Sequence, residues 1–145
     1  MGEKEQINYG GATFSLAEID IQAYAELLKN IDATLAEPIE VMNLIVNYKN
    51  PNKVVCECLK KIPLTKFCEV KKCLSTMKKN VSKYEKRLGN FLKNNPEKSE
   101  RFFELKENFN TLIDEKTKLV NDCIRKCFEF LKENNIQNDF IWQNI

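Results

Sequence analysis

The chain has no histidine, and only four glycines, four prolines and one tryptophan in 145 residues. Without an imidazole it lacks the usual general base, the usual partner of a nucleophilic cysteine or serine, and the commonest nitrogen ligand for zinc. So few glycines and prolines leave little material for the turns of an all-β fold or for a phosphate-cradling loop. No apolar run approaches the roughly 20 residues needed to cross a bilayer. The opening, MGEKEQINYGGATF, has no apolar core of signal-peptide type, and Gln6 stands where a myristoylation motif wants Ser or Thr. Such a start fits an intracellular protein or a mature secreted chain with an added initiator Met.

What is abundant favours helix. Hydrophobic residues make up 43% of the chain and charged ones 30%, as expected of a single α-helical domain with a real core. We expect residues 1–14 to be a flexible leader and residues 15–145 to form one helical domain. Ser15 and Glu18 make a capping box, SLAE, ahead of Leu16, Ile19, Ala23, Leu27, Ile31 and Leu35, whose spacing predicts a helix to about Ala36 with that stripe in the core. Pro38 opens a second helix, PIEVMNLIVNYK, apolar nearly all round and expected to be buried. A short third helix, VVCECLKK, stops at Pro63.

The strongest periodicity follows. Phe67, Val70, Leu74, Met77, Val81, Tyr84, Leu88 and Phe91 alternate in steps of three and four, a heptad seam along a helix of about 65–94. Asn94-Asn95-Pro96 ends it and starts another, about 96–134, with Asn95 as N-cap and Pro96 at the first helical position. In the last helix Phe102, Leu105, Phe109, Leu112, Lys116, Leu119 and Cys123 repeat the pattern, drifting toward Leu131 as a straight helix does against a 3.5 repeat. So short a connection makes the pair antiparallel. The expected architecture is an all-α, elongated helical bundle on this long hairpin, with the shorter N-terminal helices packed against it. Gly89 weakens its helix by about 1 kcal/mol relative to Ala and marks a possible bend. The tail NDFIWQNI is expected to fold back over the open end of the bundle.

Six cysteines remain to be placed: Cys56, Cys58, Cys68, Cys73, Cys123 and Cys127. With the turn at Asn95, Cys68 comes level with Cys123, and Cys127 comes level with the segment just after Cys56 and Cys58. Their spacings lack the paired C-x2-C of thiolate zinc sites, so no metal site is expected. No imidazole activates any of them, so no catalytic cysteine is expected either. Two readings compete: disulfides joining different helices, preferred here, and buried reduced thiols. A pair within one helix, such as Cys68 and Cys73, lies beyond disulfide reach at more than about 7 Å.

Charge is unevenly spread. Residues 1–50 carry 3 basic and 8 acidic side chains, residues 51–95 carry 12 and 3, and residues 96–145 carry 8 and 10. Lys72, Lys79, Lys86 and Lys93 recur every seventh residue on the outer face of the seam helix, a possible face for an anionic partner. The face has no interleaved aromatics and the chain is barely basic, which argues against nucleic acid. The plainer reading is a solvated face whose neighbouring lysines pair with Glu97, Glu100, Glu104 and Glu107 of the next helix. Asn80-Val81-Ser82 matches a glycosylation sequon but lies mid-helix.

These features point away from enzymology, metals and cofactors. The expected role is that of a non-enzymatic helical binding protein acting through its surface on another protein, as a secreted, disulfide-stapled effector or inhibitor. An intracellular, cytoplasmic coiled-coil adaptor with reduced cysteines and some self-association is the alternative. A third reading is a carrier of a small apolar ligand, lined by Phe67, Phe128 and Phe130.

Overall fold

The computed structural model describes residues 2–134, with side chains placed from Gly10 onward. It is an all-α helical bundle: α1 (Gly2–Val46), α2 (Lys53–Leu59), a π-helical turn (Lys60–Leu64), α3 (Thr65–Asn94) and α4 (Pro96–Glu133). The hairpin helices α3 and α4 fall where their periodicity puts them. At the turn Asn95 acts on the helix it leaves: its side-chain amide donates to the Phe91 carbonyl at 2.8 Å, and its own carbonyl accepts the Ser99 amide at 2.9 Å. It thus closes α3 with its side chain and opens α4 with its backbone. The tail NDFIWQNI lies outside the described residues.

The chain divides into two compact units, residues up to Asn30 with Leu74–Glu115, and Ile31–Cys73 with the residues from Lys116 on. In the first unit three helices share a core of Phe14, Ala17, Ile21, Ala25, Leu28, Val81, Leu88, Phe102, Phe109 and Ile113, all buried. Contacts fix their directions. Phe14 stacks near Phe91 with ring centroids 6.1 Å apart, while Tyr84 donates to Asp20 and Asn80 donates to Tyr24 at 2.9 Å, so α1 and α3 run antiparallel. Glu18 meets Arg101 at 3.7 Å and Tyr24 packs 6.1 Å from Phe109, so α1 and α4 run parallel. Glu85 and Lys106, ten and eleven residues either side of Asn95, pair at 2.6 Å, the register a tight hairpin dictates.

Helix α1 departs from the sequence expectation in three ways. It does not begin at Ser15. Helix already covers the residues read as a leader, and the Ser15 hydroxyl donates back to the Gly11 carbonyl at 3.1 Å, as a serine inside a helix does. It does not stop before Pro38, which sits buried within it; the hydrogen bond lost there, part of a cost of about 3 kcal/mol for an interior proline, is offset by burying Leu35 and Met42 on either side. The segment after Pro38 is not buried all round, since Leu44 is 68% exposed and Tyr48 54%. Finally, the face turned inward is not the one expected. Leu16, Ile19 and Leu27 are 58%, 61% and 57% exposed, and the core takes Phe14, Ala17, Ile21, Ala25 and Leu28 instead.

Gly10 explains part of that choice. A Cβ on Gly10 would lie 2.5 Å from the Phe91 ring and 2.9 Å from the Phe91 Cβ, so a hydrogen is what lets α1 close on α3. At Gly89 a Cβ would have nothing within 4 Å. We therefore expect Gly10→Ala to destabilise by about 1–3 kcal/mol through overpacking and Gly89→Ala to stabilise by about 0.5–1 kcal/mol. Urea unfolding of the two variants checks both signs; equal effects would leave the close approach without consequence.

In the second unit, Pro63 does not end the short third helix. The chain widens into the π turn, where the Thr65 hydroxyl donates to the Lys60 carbonyl at 2.7 Å, and continues directly into α3. Leu59, Leu64, Phe67, Val120, Cys127 and Leu131 form the core there, each at most 1% exposed. Lys116, at a seam position, is buried and reaches Asp32 at 3.1 Å.

Candidate functional site

The cysteines gather in the second unit. Cys56, Cys123 and Cys127 are buried, Cys68 is half-buried, and Cys58 and Cys73 are exposed; all six are free thiols. Cys127 is the most perturbed. Burial is the main cause, and the neighbouring Cys123 and Cys68 add to it, so that its thiol is pushed up to about 12. Cys123 and Cys127 stand one turn apart on α4, and Cys68 of α3 lies close enough to Cys127 to raise its thiol further. Counting equal steps from Asn95 brings Cys68 level with Cys123 but sets Cys127 level with Pro63, one turn further along α4. Burial also raises the thiols of Cys56, Cys68 and Cys123, against the opposing pull of Lys60, Lys71 and Lys126 respectively. Such thiols stay protonated and are poor nucleophiles. Among the described residues, no three His, Cys, Asp or Glu side chains are placed to hold a metal ion.

Cys56 and Cys58 fall on opposite sides of α2, one buried and one exposed, and Cys73 faces outward from α3. The sequence sets Cys123 and Cys127 on an apolar stripe and the other four among charged neighbours, but it does not mark Cys56 as buried. Cys127 lies on the same stripe as Val120 and Ile124, whereas Cys73 directly precedes the seam residue Leu74.

Lys72, Lys79, Lys86 and Lys93 are all exposed on α3, as the outer heptad position requires. The ion pairs that span helices in the first unit lie elsewhere, with α4 supplying the cation in each: Lys106 to Glu85 and Arg101 to Glu18. The Asn80 side-chain nitrogen, the atom a sequon would offer, is engaged with the Tyr24 hydroxyl. Tyr84 is pushed up to about 12, chiefly because it donates its proton to Asp20 and so resists losing it. Both features tie α3 to α1 and read as structural.

The aromatic set proposed for a carrier is divided. Phe67 and Phe130 are core residues, at 0% and 7% exposure, and Phe128 is half-buried. A cleft of about 780 Å³ lies instead along the last turns of α1, lined by Ala36, Ile39, Asn43, Leu44, Asn47 and Tyr48 among others. Sequence reasoning missed it because PIEVMNLIVNYK looks like core on every side. No helix among the described residues is long and apolar enough to cross a membrane. Neither family models, nor curated proteins, nor solved structures give a match to this chain.

Proposed function

We propose that this chain is a non-enzymatic helical binding protein that docks another protein against the end of α1. The observation that carries the reading is the exposed apolar surface there: Leu44 and Tyr48 are more than half exposed beside Ile39, along an open cleft of about 780 Å³. An exposed tyrosine just beyond the helix end, beside exposed aliphatic surface, is the kind of residue that is enriched in protein interfaces. Asn43, Asn47 and Asn50 supply amides at its edge for a polar rim.

The secreted, disulfide-stapled form of this reading is supported by Cys68 of α3 lying near enough to Cys127 of α4 to perturb its thiol. Joining the two thiols removes two protons and two electrons, which a disulfide oxidant of a secretory compartment accepts. A photo-crosslinking side chain at position 44 tests the docking face in the native source. A covalent adduct with a different protein, lost on Tyr48→Asp, supports the reading; no adduct overturns it. Intact mass after alkylation without reductant tests the staple separately, because six alkylated cysteines would remove it.

A further inference from the structure

Two further apolar stripes lie exposed, and their surroundings carry opposite charge. On α1, Leu16, Ile19, Ala23 and Leu27 form one face over about three turns, each exposed and with the three large residues above 55%. Helical geometry places Asp20 and Glu26 on its two sides. Residues 15–30 contain three carboxylates, of which Glu18 is paired with Arg101 of α4 at 3.7 Å, and a single cation, Lys29, whose 3.5 Å contact with Glu26 is solvent-exposed and screened. In the second unit Val54, Cys58 and Ile62 recur every fourth residue, with Val54 71% and Ile62 57% exposed. Residues 53–66 contain four lysines and one glutamate, and that glutamate is held by Lys60 at 2.9 Å. Ile62 shares a groove of about 470 Å³ with Val41, where Lys61 and Lys66 stand with Glu37 and Glu69.

We infer that the acid-flanked α1 stripe of one copy docks on the lysine-flanked α2 stripe of a second copy. Each face is apolar along its centre, so each gains by leaving water, and the charges beside the centre attract only in this crossed arrangement. Pairing α1 stripe with α1 stripe sets Asp20 and Glu26 of one copy among those of the other, a repulsive rim. An anionic lipid surface is repelled by the same carboxylates. The contact is heterologous, unlike surfaces meeting, so every copy offers one donor face and one acceptor face. Each stripe spans only a few turns, which puts the association in the weak class. This inference is independent of the cleft at Leu44, which belongs to neither stripe.

The test is sedimentation equilibrium on the full chain between about 10 and 500 μM, the range suited to a small interface. Wild type is expected to rise above the monomer mass with concentration, less so at high salt. Ile19→Asp and Ile62→Asp, both at exposed positions, are each expected to remain monomeric with unchanged helicity. Mixed in equal amounts they should form a one-to-one pair, because each keeps the face the other has lost. Glu26→Lys and Lys61→Glu should each weaken the wild-type association, and combining them in one chain should restore it. A wild type that stays monomeric throughout overturns the inference. So does an Ile62→Asp variant that still self-associates, which would mean like faces pair, or a mixture that remains two monomers.

Discussion

Replacing Phe109 by alanine is expected to cost about 3–5 kcal/mol, while replacing Leu27 by alanine should change stability by less than about 0.5 kcal/mol. Both residues look like core in the sequence, but they occupy opposite situations. Phe109 is 0% exposed and its ring packs 6.1 Å from Tyr24, so truncation removes an aromatic side chain and leaves a void between α1 and α4. Leu27 is 57% exposed, so truncation removes little packing and substitutes a better helix former. At about 2–4 °C per kcal/mol for a chain near this size, Phe109→Ala should lower the melting temperature by roughly 10 °C or more. Denaturant unfolding of the two variants side by side is the measurement. A Leu27→Ala variant as damaged as Phe109→Ala would return the α1 stripe to the core and remove the basis for its docking role.

The contrast shows where the sequence is informative. Helices α3 and α4 were legible to the residue because their apolar positions form one seam each and Asn95-Pro96 allows only a tight antiparallel turn. The seam residues Phe67, Leu74, Val81 and Leu88 are all buried. Helix α1 was legible as helix but not in orientation, since it carries two apolar stripes. Periodicity alone cannot rank Leu16, Ile19 and Leu27 against Phe14, Ile21 and Leu28. The choice is made by the partners: Gly10 admits the Phe91 ring, Tyr24 finds Phe109, and Asp20 accepts the hydrogen bond of the Tyr84 hydroxyl. None of these is a local signal. The prolines misled for a related reason. Pro38 and Pro63 disfavour helix locally, yet burial of neighbouring side chains and the Thr65 hydroxyl bond to Lys60 hold the backbone through both. The exposed faces were hidden by the same habit of reading, because an apolar residue at helical spacing is assigned to a core by default. Only the pairing of hairpin levels was accessible in advance, because register in a tight hairpin is arithmetic, and Glu85 with Lys106 obeys it.

In reduced protein, Cys127 is expected to react with an alkylating agent at pH 8 at least about 10³-fold more slowly than in the urea-unfolded chain. The reacting species is the thiolate. Its proton is held from an ordinary value of 9.0 up to about 12, mainly by burial and then by the Cys123 and Cys68 sulfurs nearby. Three pKa units correspond to a thousandfold scarcity of thiolate, and complete burial adds steric exclusion on top. Cys58 and Cys73, exposed on their helices, should label within a few-fold of their unfolded rates, with half-buried Cys68 between the extremes. The same shift bears on stability. A folded-state pKa raised above the unfolded value means the folded chain keeps its proton longer, so this contribution is fully present below pH 9 and is lost as pH rises toward 12. Labelling followed by peptide mass mapping reads all six sites in one experiment. A Cys127 that labels as fast as Cys73 would mean that α3 and α4 do not close over it, and would remove the packed thiol cluster on which the disulfide reading depends.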